Sequence, residues 1–254
     1  MCTASWWFAH DGSYELFFNR DEQKSRLEAE SPRVFDQGAV RYIAPIDAHR
    51  GGSWIAVNEF GLSVCLVNHY PPGGIEVTPT MQRPTSRGQL ILDCATETTL
   101  GDVLQRIRKM DLASFQPFHL LGLALGGEVM RLTWDGRALQ TMTEGIDAPL
   151  TSSSFDTEAV TTGRARYYAT LVASVPPGNR PPLEMFHDLH NPSLGAYSVL
   201  MNRPDACTVS QTRVRVSRAI VELDYRPIDW VRGWRALGTK RQLPFCETVH
   251  LLPA

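Results

Sequence analysis

Cys2, followed by Thr3 and the apolar run Ala4 to Ala9, is the first residue of this 254-residue chain with chemistry to offer. Initiator methionine is trimmed before small residues such as cysteine, and Cys2 would then carry a thiol and a free α-amine on one residue. An α-amine has a reference pKa of about 7.7–8.0, so near neutral pH it can take the thiol proton itself. A nucleophile with its own base needs orienting charges, and Asn19-Arg20-Asp21-Glu22 supplies them. The turn His10-Asp11-Gly12-Ser13 separates Ala4–Ala9 from a second apolar run, Tyr14 to Phe18, and a hairpin would fold Arg20 and Asp21 back alongside Cys2. Arginine beside a thiol favours the thiolate, and a carboxylate beside the amine accepts its hydrogen bonds. The competing reading is a small buried cysteine with Arg20 and Asp21 as a structural ion pair. Adjacent strand residues face opposite ways, so a bulge or strand end is needed for both to reach Cys2, and Asp21 is the preferred partner.

Further motifs follow in Gly51-Gly52-Ser53-Trp54 and Asn58-Glu59-Phe60-Gly61. With Met-Cys at the start and Asn19-Arg20-Asp21-Glu22, they resemble the NRDE family, also called the transport and Golgi organisation protein 2 family. The match covers the first ~90 residues well and the rest weakly. That family in turn resembles N-terminal-nucleophile hydrolases of the choloylglycine hydrolase and penicillin acylase type, which begin Met-Cys-Thr. The resemblance implies an α+β fold, a four-layer αββα sandwich with two antiparallel sheets between helices, and cleavage or transfer of an acyl group from an amide. It also implies an oxyanion donor at Asn68, which ends the run Val64-Cys65-Leu66-Val67-Asn68; asparagine after a strand is also simply a good turn residue. The family's second donor is the asparagine of a Leu-Thr-Asn segment, where this chain has Leu150-Thr151-Ser152, so a shorter hydroxyl replaces an amide. Related enzymes place an arginine a few residues before the aspartate, whereas Arg20 is directly adjacent to Asp21. Asn19, Ser152 and Arg87 are assigned to substrate binding. Arg87 lies in Ser86-Arg87-Gly88, a segment common in the family that also reads as a helix start with an anion-binding arginine. Arg203, Asp205, Thr208 and Ser210 lie where such hydrolases keep a late polar residue.

Composition bounds these readings. Hydrophobic content of 43% and charged content of 20% suit a globular protein with a sizeable core. Lys and Arg total 25 against 27 Asp and Glu, which gives no electrostatic reason to expect nucleic acid or a membrane surface. No apolar run approaches a membrane span, and Trp6-Trp7-Phe8 is too short for a signal peptide. Five cysteines without a Cys-x-x-Cys pattern read as a reduced, cytoplasmic protein without structural zinc. His187 and His190 are spaced i, i+3 and read as a solvated helix face rather than a metal or haem site. No cofactor is expected.

The elements that must position the site come in blocks of strands, helices and strands, over a single domain spanning 1–254. Gln23 to His49, with Pro32 and Pro45, reads as a lid-like loop with one short strand near Ala39 to Ile43. Ser53–Val57 and Leu62–Val67 form a second hairpin, and the Pro- and Gly-rich Tyr70–Pro84 a substrate-side loop. Helices start at Thr85 or Ser86 and at Thr99, and Phe118–Leu125, Glu128–Trp134 and Ala138–Met142 form a meander. Leu150–Phe155 leads through Asp156, read as an N-cap, into a helix carrying Val160, Tyr167, Tyr168 and Leu171; Leu183–Leu189 is a short helix, and Ala206–Glu222 is mostly strand.

Two functions remain open. One is an amidohydrolase or acyltransferase with an N-terminal cysteine nucleophile, acting on an amide or thioester of a small molecule. The other is a non-catalytic protein on the same fold that binds or hands on a hydrophobic molecule such as haem or lipid. The sequence does not specify an oligomeric state.

Overall fold

A computed structural model of the chain describes residues 2–71, 84–233 and 237–247. Its strands are β1 (Cys2–Phe8), β2 (Tyr14–Gln23), β3 (Glu30–Gln37), β4 (Val40–Ile46), β5 (Ile55–Asn58), β6 (Ser63–Asn68), β7 (Phe118–Ala124), β8 (Glu128–Trp134), β9 (Leu139–Met142), β10 (Leu150–Ser152), β11 (Ala206–Val216), β12 (Val221–Pro227) and β13 (Thr239–Leu243). The helices are α1 (Arg87–Cys94), α2 (Leu100–Arg108), α3 (Thr157–Ala173) and α4 (Leu183–His187). One sheet has six strands in the order β10-β1-β2-β11-β12-β13 and the other seven, β3 to β9 in sequence order. Every strand pair is antiparallel.

Side-chain alternation makes four layers from these elements. Leu16 and Phe18 of β2 meet Ile43, Ile55 and Val67 in a core between the sheets. Phe17, between them in sequence, points outward to Tyr168 of α3 and Leu183 and Phe186 of α4. On the other sheet Cys65 and Val67 face inward, while Val64 and Leu66 pack against Leu90 and Ile91 of α1 and Val103 and Ile107 of α2. The fold is therefore the αββα sandwich. Trp6 and Trp7 divide in the same way, one into the inter-sheet core and the other toward the helices.

The first two hairpins form at their turn residues. Asn58 and Leu62 close the second, with Gly61 at φ +72°, a left-handed conformation that glycine adopts without strain. Its strands β5 and β6 run Ile55–Asn58 and Ser63–Asn68. In the stretch from Gln23 to His49 the short strand expected near Ala39 to Ile43 is present as β4, but the rest is not a loop: it holds β3 as well. The prolines do not prevent this, because Ser31 and Pro32 oppose Pro45 at a bulge between Glu30 and Arg33, where the ladder is interrupted, and β3 is a sheet edge. Ala206–Glu222 divides into β11 and β12, because Ser217 and Ile220 make a turn without a glycine signal. Asp156 does take the N-cap position of α3, its carbonyl accepting from the Val160 amide at 3.0 Å, but at φ 40°, ψ 59° its side chain makes no cap bond and accepts instead from the Tyr197 hydroxyl at 2.8 Å. Most of the expected substrate-side loop, residues 72–83, lies outside the described residues.

Candidate active site

Cys2 begins β1 and is held on both sides, opposite Arg20 of β2 and Ser152 of β10. Directly opposed residues in an antiparallel pair share a face, so Arg20 and Ser152 point the same way as Cys2, toward the second sheet. Asp21, one residue on, faces the helical layer with Thr3. Across from it β11 carries a bulge between Thr208 and Ser210, which seats Thr208 against Asp21. The Thr208 hydroxyl donates to Asp21 Oδ1 at 2.6 Å and accepts from the Met201 amide at 2.9 Å.

Behind Asp21 lies a fully buried guanidinium. Arg164 of α3 sits with Nη1 3.7 Å from Asp21 Oδ2. It also donates to Thr3 Oγ1 at 2.6 Å and to the Ala196 and Ser198 carbonyls at 3.0 and 2.6 Å. Asp21 Oδ2 is left buried without a hydrogen-bond donor among the described residues. Burial pushes the Asp21 carboxyl above the ordinary carboxylate range, against the pull of Arg164. Burial also pushes the Cys2 thiol up; the Asp21 charge adds to this, while the Asp21 amide and Arg20 oppose it. A thiol in this setting is not a ready thiolate and needs a base.

Arg20 faces Cys2 but is committed elsewhere. It donates to Asp47 at 2.9 Å and Glu22 at 3.4 Å, and its guanidinium lies 4.3 Å above the Trp54 ring. Asn68 ends β6 and turns its amide to the Tyr70 hydroxyl at 3.1 Å. Cys2, Arg20, Asp21, Asn68 and Arg87 all line one cleft of about 520 Å³, a volume ordinary for small-molecule sites. Ser152, assigned to substrate binding from the sequence, does not line the cleft: it is buried opposite Cys2 in the β1–β10 pair, its Oγ without a hydrogen-bond partner among the described residues. Asn19 does not reach the cleft and is not placed to bind substrate. It is fully buried on the helical side, donating to the His187 and Val199 carbonyls at 2.9 and 3.1 Å and paired with His187 Nδ1 at 2.9 Å. His187 is likewise no solvated histidine: Ser5 Oγ and Asn19 hold it in the core, and burial pushes its pKa down to about 3. Arg203 and Asp205 pair with each other at 2.8 Å on the cleft rim. Among the described residues no group of three or more His, Cys, Asp or Glu is arranged to hold a metal.

Arg164 was missed by motif reading, although its signal is in the sequence. Val160, Arg164 and Tyr168 recur at i, i+4 and i+8 on the buried stripe of α3. A charge inside an apolar stripe marks a buried partner, here Asp21.

Solved structures share this architecture over nearly the whole chain. A conjugated bile acid hydrolase of Clostridium perfringens, in its C2A mutant, matches 98% of both chains at a TM-score of 0.54 and 12% identity. A penicillin V acylase from Agrobacterium tumefaciens matches 99% of this chain and 94% of its own at 0.51 and 12%. The Caenorhabditis elegans ortholog of N-acylethanolamine-hydrolyzing acid amidase matches 84% of this chain and 92% of its own at 0.59 and 14%. At such identities the likeness defines the fold, and that fold is the N-terminal-nucleophile hydrolase sandwich. No curated protein matches the chain. The chain itself belongs to the Transport and Golgi organisation 2 family, whose model matches residues 1–168. No helix among the described residues is long and apolar enough to cross a membrane.

Proposed function

We propose that the protein is an N-terminal-cysteine amidohydrolase or acyltransferase acting on an amide or thioester of a small molecule. The observation that carries this reading is Asp21 Oδ2, a buried carboxylate oxygen beside the start of β1 with no donor among the described residues. A buried acceptor left unpaired costs about 1–3 kcal/mol, more when charged, and the α-amine of Cys2 is the donor it suits. With Met1 removed, that amine donates to Asp21 and takes the thiol proton. The sulfur then attacks the carbonyl carbon: a C–S bond forms and the carbonyl electrons move to oxygen. Asn68 Nδ2, on the cleft wall with Cys2, is the side-chain donor available to that oxyanion. The ammonium returns its proton to the leaving amine or thiol as the C–N or C–S bond breaks. Water or an acceptor amine then releases the acyl group from Cys2.

A carrier of haem or lipid on the same scaffold is the weaker reading. Arg20, Arg26, Arg203, Glu22 and Asp47 on the cleft walls desolvate poorly against an apolar cargo. The two readings separate on incubation with a cysteine-directed acylating probe, followed by mass spectrometry of the N-terminal peptide. An acyl adduct on Cys2 that turns over in water supports the enzyme. Absence of any adduct, with ligand affinity unchanged in Cys2→Ser, would leave the carrier.

A further inference from the structure

Apart from the exposed Arg50, the cleft's charges are largely self-compensated among the described residues, with one exception. Arg20 and Arg26 share Asp47 and Glu22 at 2.9–3.4 Å, and Arg203 pairs with Asp205 at 2.8 Å. Arg87, half-buried in the same wall as Cys2, pairs with no carboxylate among the described residues. Its Nη1 donates to the Pro117 carbonyl at 2.8 Å, which fixes the side chain, while Nε and Nη2 have no partner among the described residues. Burial pushes its pKa down, the physical mark of a cation short of counter-charge.

The backbone under Arg87 is equally fixed. A Cβ on Gly52 would lie 2.5 Å from the Gly88 carbonyl carbon, so the Gly51–Trp54 segment and the first turn of α1 are in direct main-chain contact. That turn has no side-chain cap and no acidic residue, leaving its dipole unanswered as well. A rigid guanidinium with an open N–H edge is matched by a planar anion that accepts two parallel hydrogen bonds.

We propose that Arg87, supported by the start of α1, is a carboxylate subsite, and that the acyl compound handled at Cys2 carries a carboxylate. The inference rests on Cys2 being the reactive group of this cleft, and its test does not require turnover. Iodoacetate and iodoacetamide are nearly equal in size and differ in charge. Each alkylates a thiolate by forming S–C and breaking C–I, with iodide leaving and the thiol proton passing to buffer. The ratio of their rates at Cys2, read by peptide mass spectrometry, reports local positive charge. It is expected to fall about fivefold in Arg87→Met and to be kept within about twofold in Arg87→Lys, the effect of one nearby charge. Exposed Cys246 in the same molecules should show no change. An unchanged Cys2 ratio in Arg87→Met would overturn the subsite. Should that variant unfold, exposing Cys65 and Cys94 to label, the unsubstituted protein decides. Acetate at matched ionic strength should slow iodoacetamide at Cys2 more than acetamide does, and equal effects overturn the proposal. An Arg87 effect without any trapped acyl-enzyme would reject catalysis and keep the anion site.

Discussion

At Cys2 the surroundings work against the thiolate, so the base must be local. With a free α-amine, alkylation of Cys2 is expected to rise with pH through an inflection near the amine's ordinary value, about 8. In a form with Met1 retained, burial of the thiol should move that rise to clearly higher pH. A single profile for both forms would remove the amine from the mechanism. Cys2→Ser keeps the shape but raises the nucleophile's pKa, and should lose nearly all acyl transfer while retaining the wild-type melting curve. Asn68→Ala removes the proposed oxyanion donor, which acts after attack begins, so kcat on a probe turned over by Cys2 should fall by about 10²-fold with a smaller change in KM. That Cys2, Arg20, Asp21 and Asn68 share one cleft was legible because each is local in sequence: a start, a strand end, a polar tetrad. Asn19 misled for the same reason, since the tetrad does not say which face each member takes.

The elements explain what the motifs could not. Asp21 is shaped by α3, more than 130 residues later in the chain, and by the bulge in β11, neither of which leaves a trace near position 21. Arg164→Met leaves a buried carboxylate without its cation and should cost about 3–5 kcal/mol. The pH dependence has a definite sign. Folding raises the Asp21 pKa above its unfolded value of 3.8, so the folded state binds the proton more tightly. The stability Asp21 contributes is complete below that value and is lost as pH rises through the folded pKa. Without Arg164 the folded pKa climbs further. The difference in urea midpoint between wild type and Arg164→Met should therefore widen from pH 5 to pH 8, and adding Asp21→Asn should narrow it at pH 8. A pH-independent difference would mean that Arg164 acts only through Thr3 and the carbonyls of residues 196 and 198. Pro32 hid β3, and a glycine-free turn hid the division between β11 and β12: each is a case where tertiary pairing overrides local preference.

On the scale of the molecule, two sheets are pressed together through apolar side chains, and Tyr14 makes a polar crossing between them. Its hydroxyl donates to Ser63 at 2.6 Å and lies 3.0 Å from the Gly61 carbonyl, both on the opposite hairpin. Tyr14→Phe should lower stability by about 1–3 kcal/mol in denaturant melts, leaving the Ser63 hydroxyl buried, and should leave Cys2 labelling unaltered. The layering itself was visible in the alternation of Leu16, Phe17 and Phe18. The strand carrying Cys2 is zipped from both sides, and one of its neighbours, β10, is about 150 residues away in the chain. This separation in sequence is also a separation in time. At about 5–20 residues per second, β10 follows β1 out of the ribosome by roughly 8–30 s. An aminopeptidase needs a loose chain end, and that interval is when this one is loose. Exposure of the proposed nucleophile is thus a race that synthesis order favours, and a purified, folded Met1 form is expected to resist an aminopeptidase that trims the same chain end in the unfolded protein.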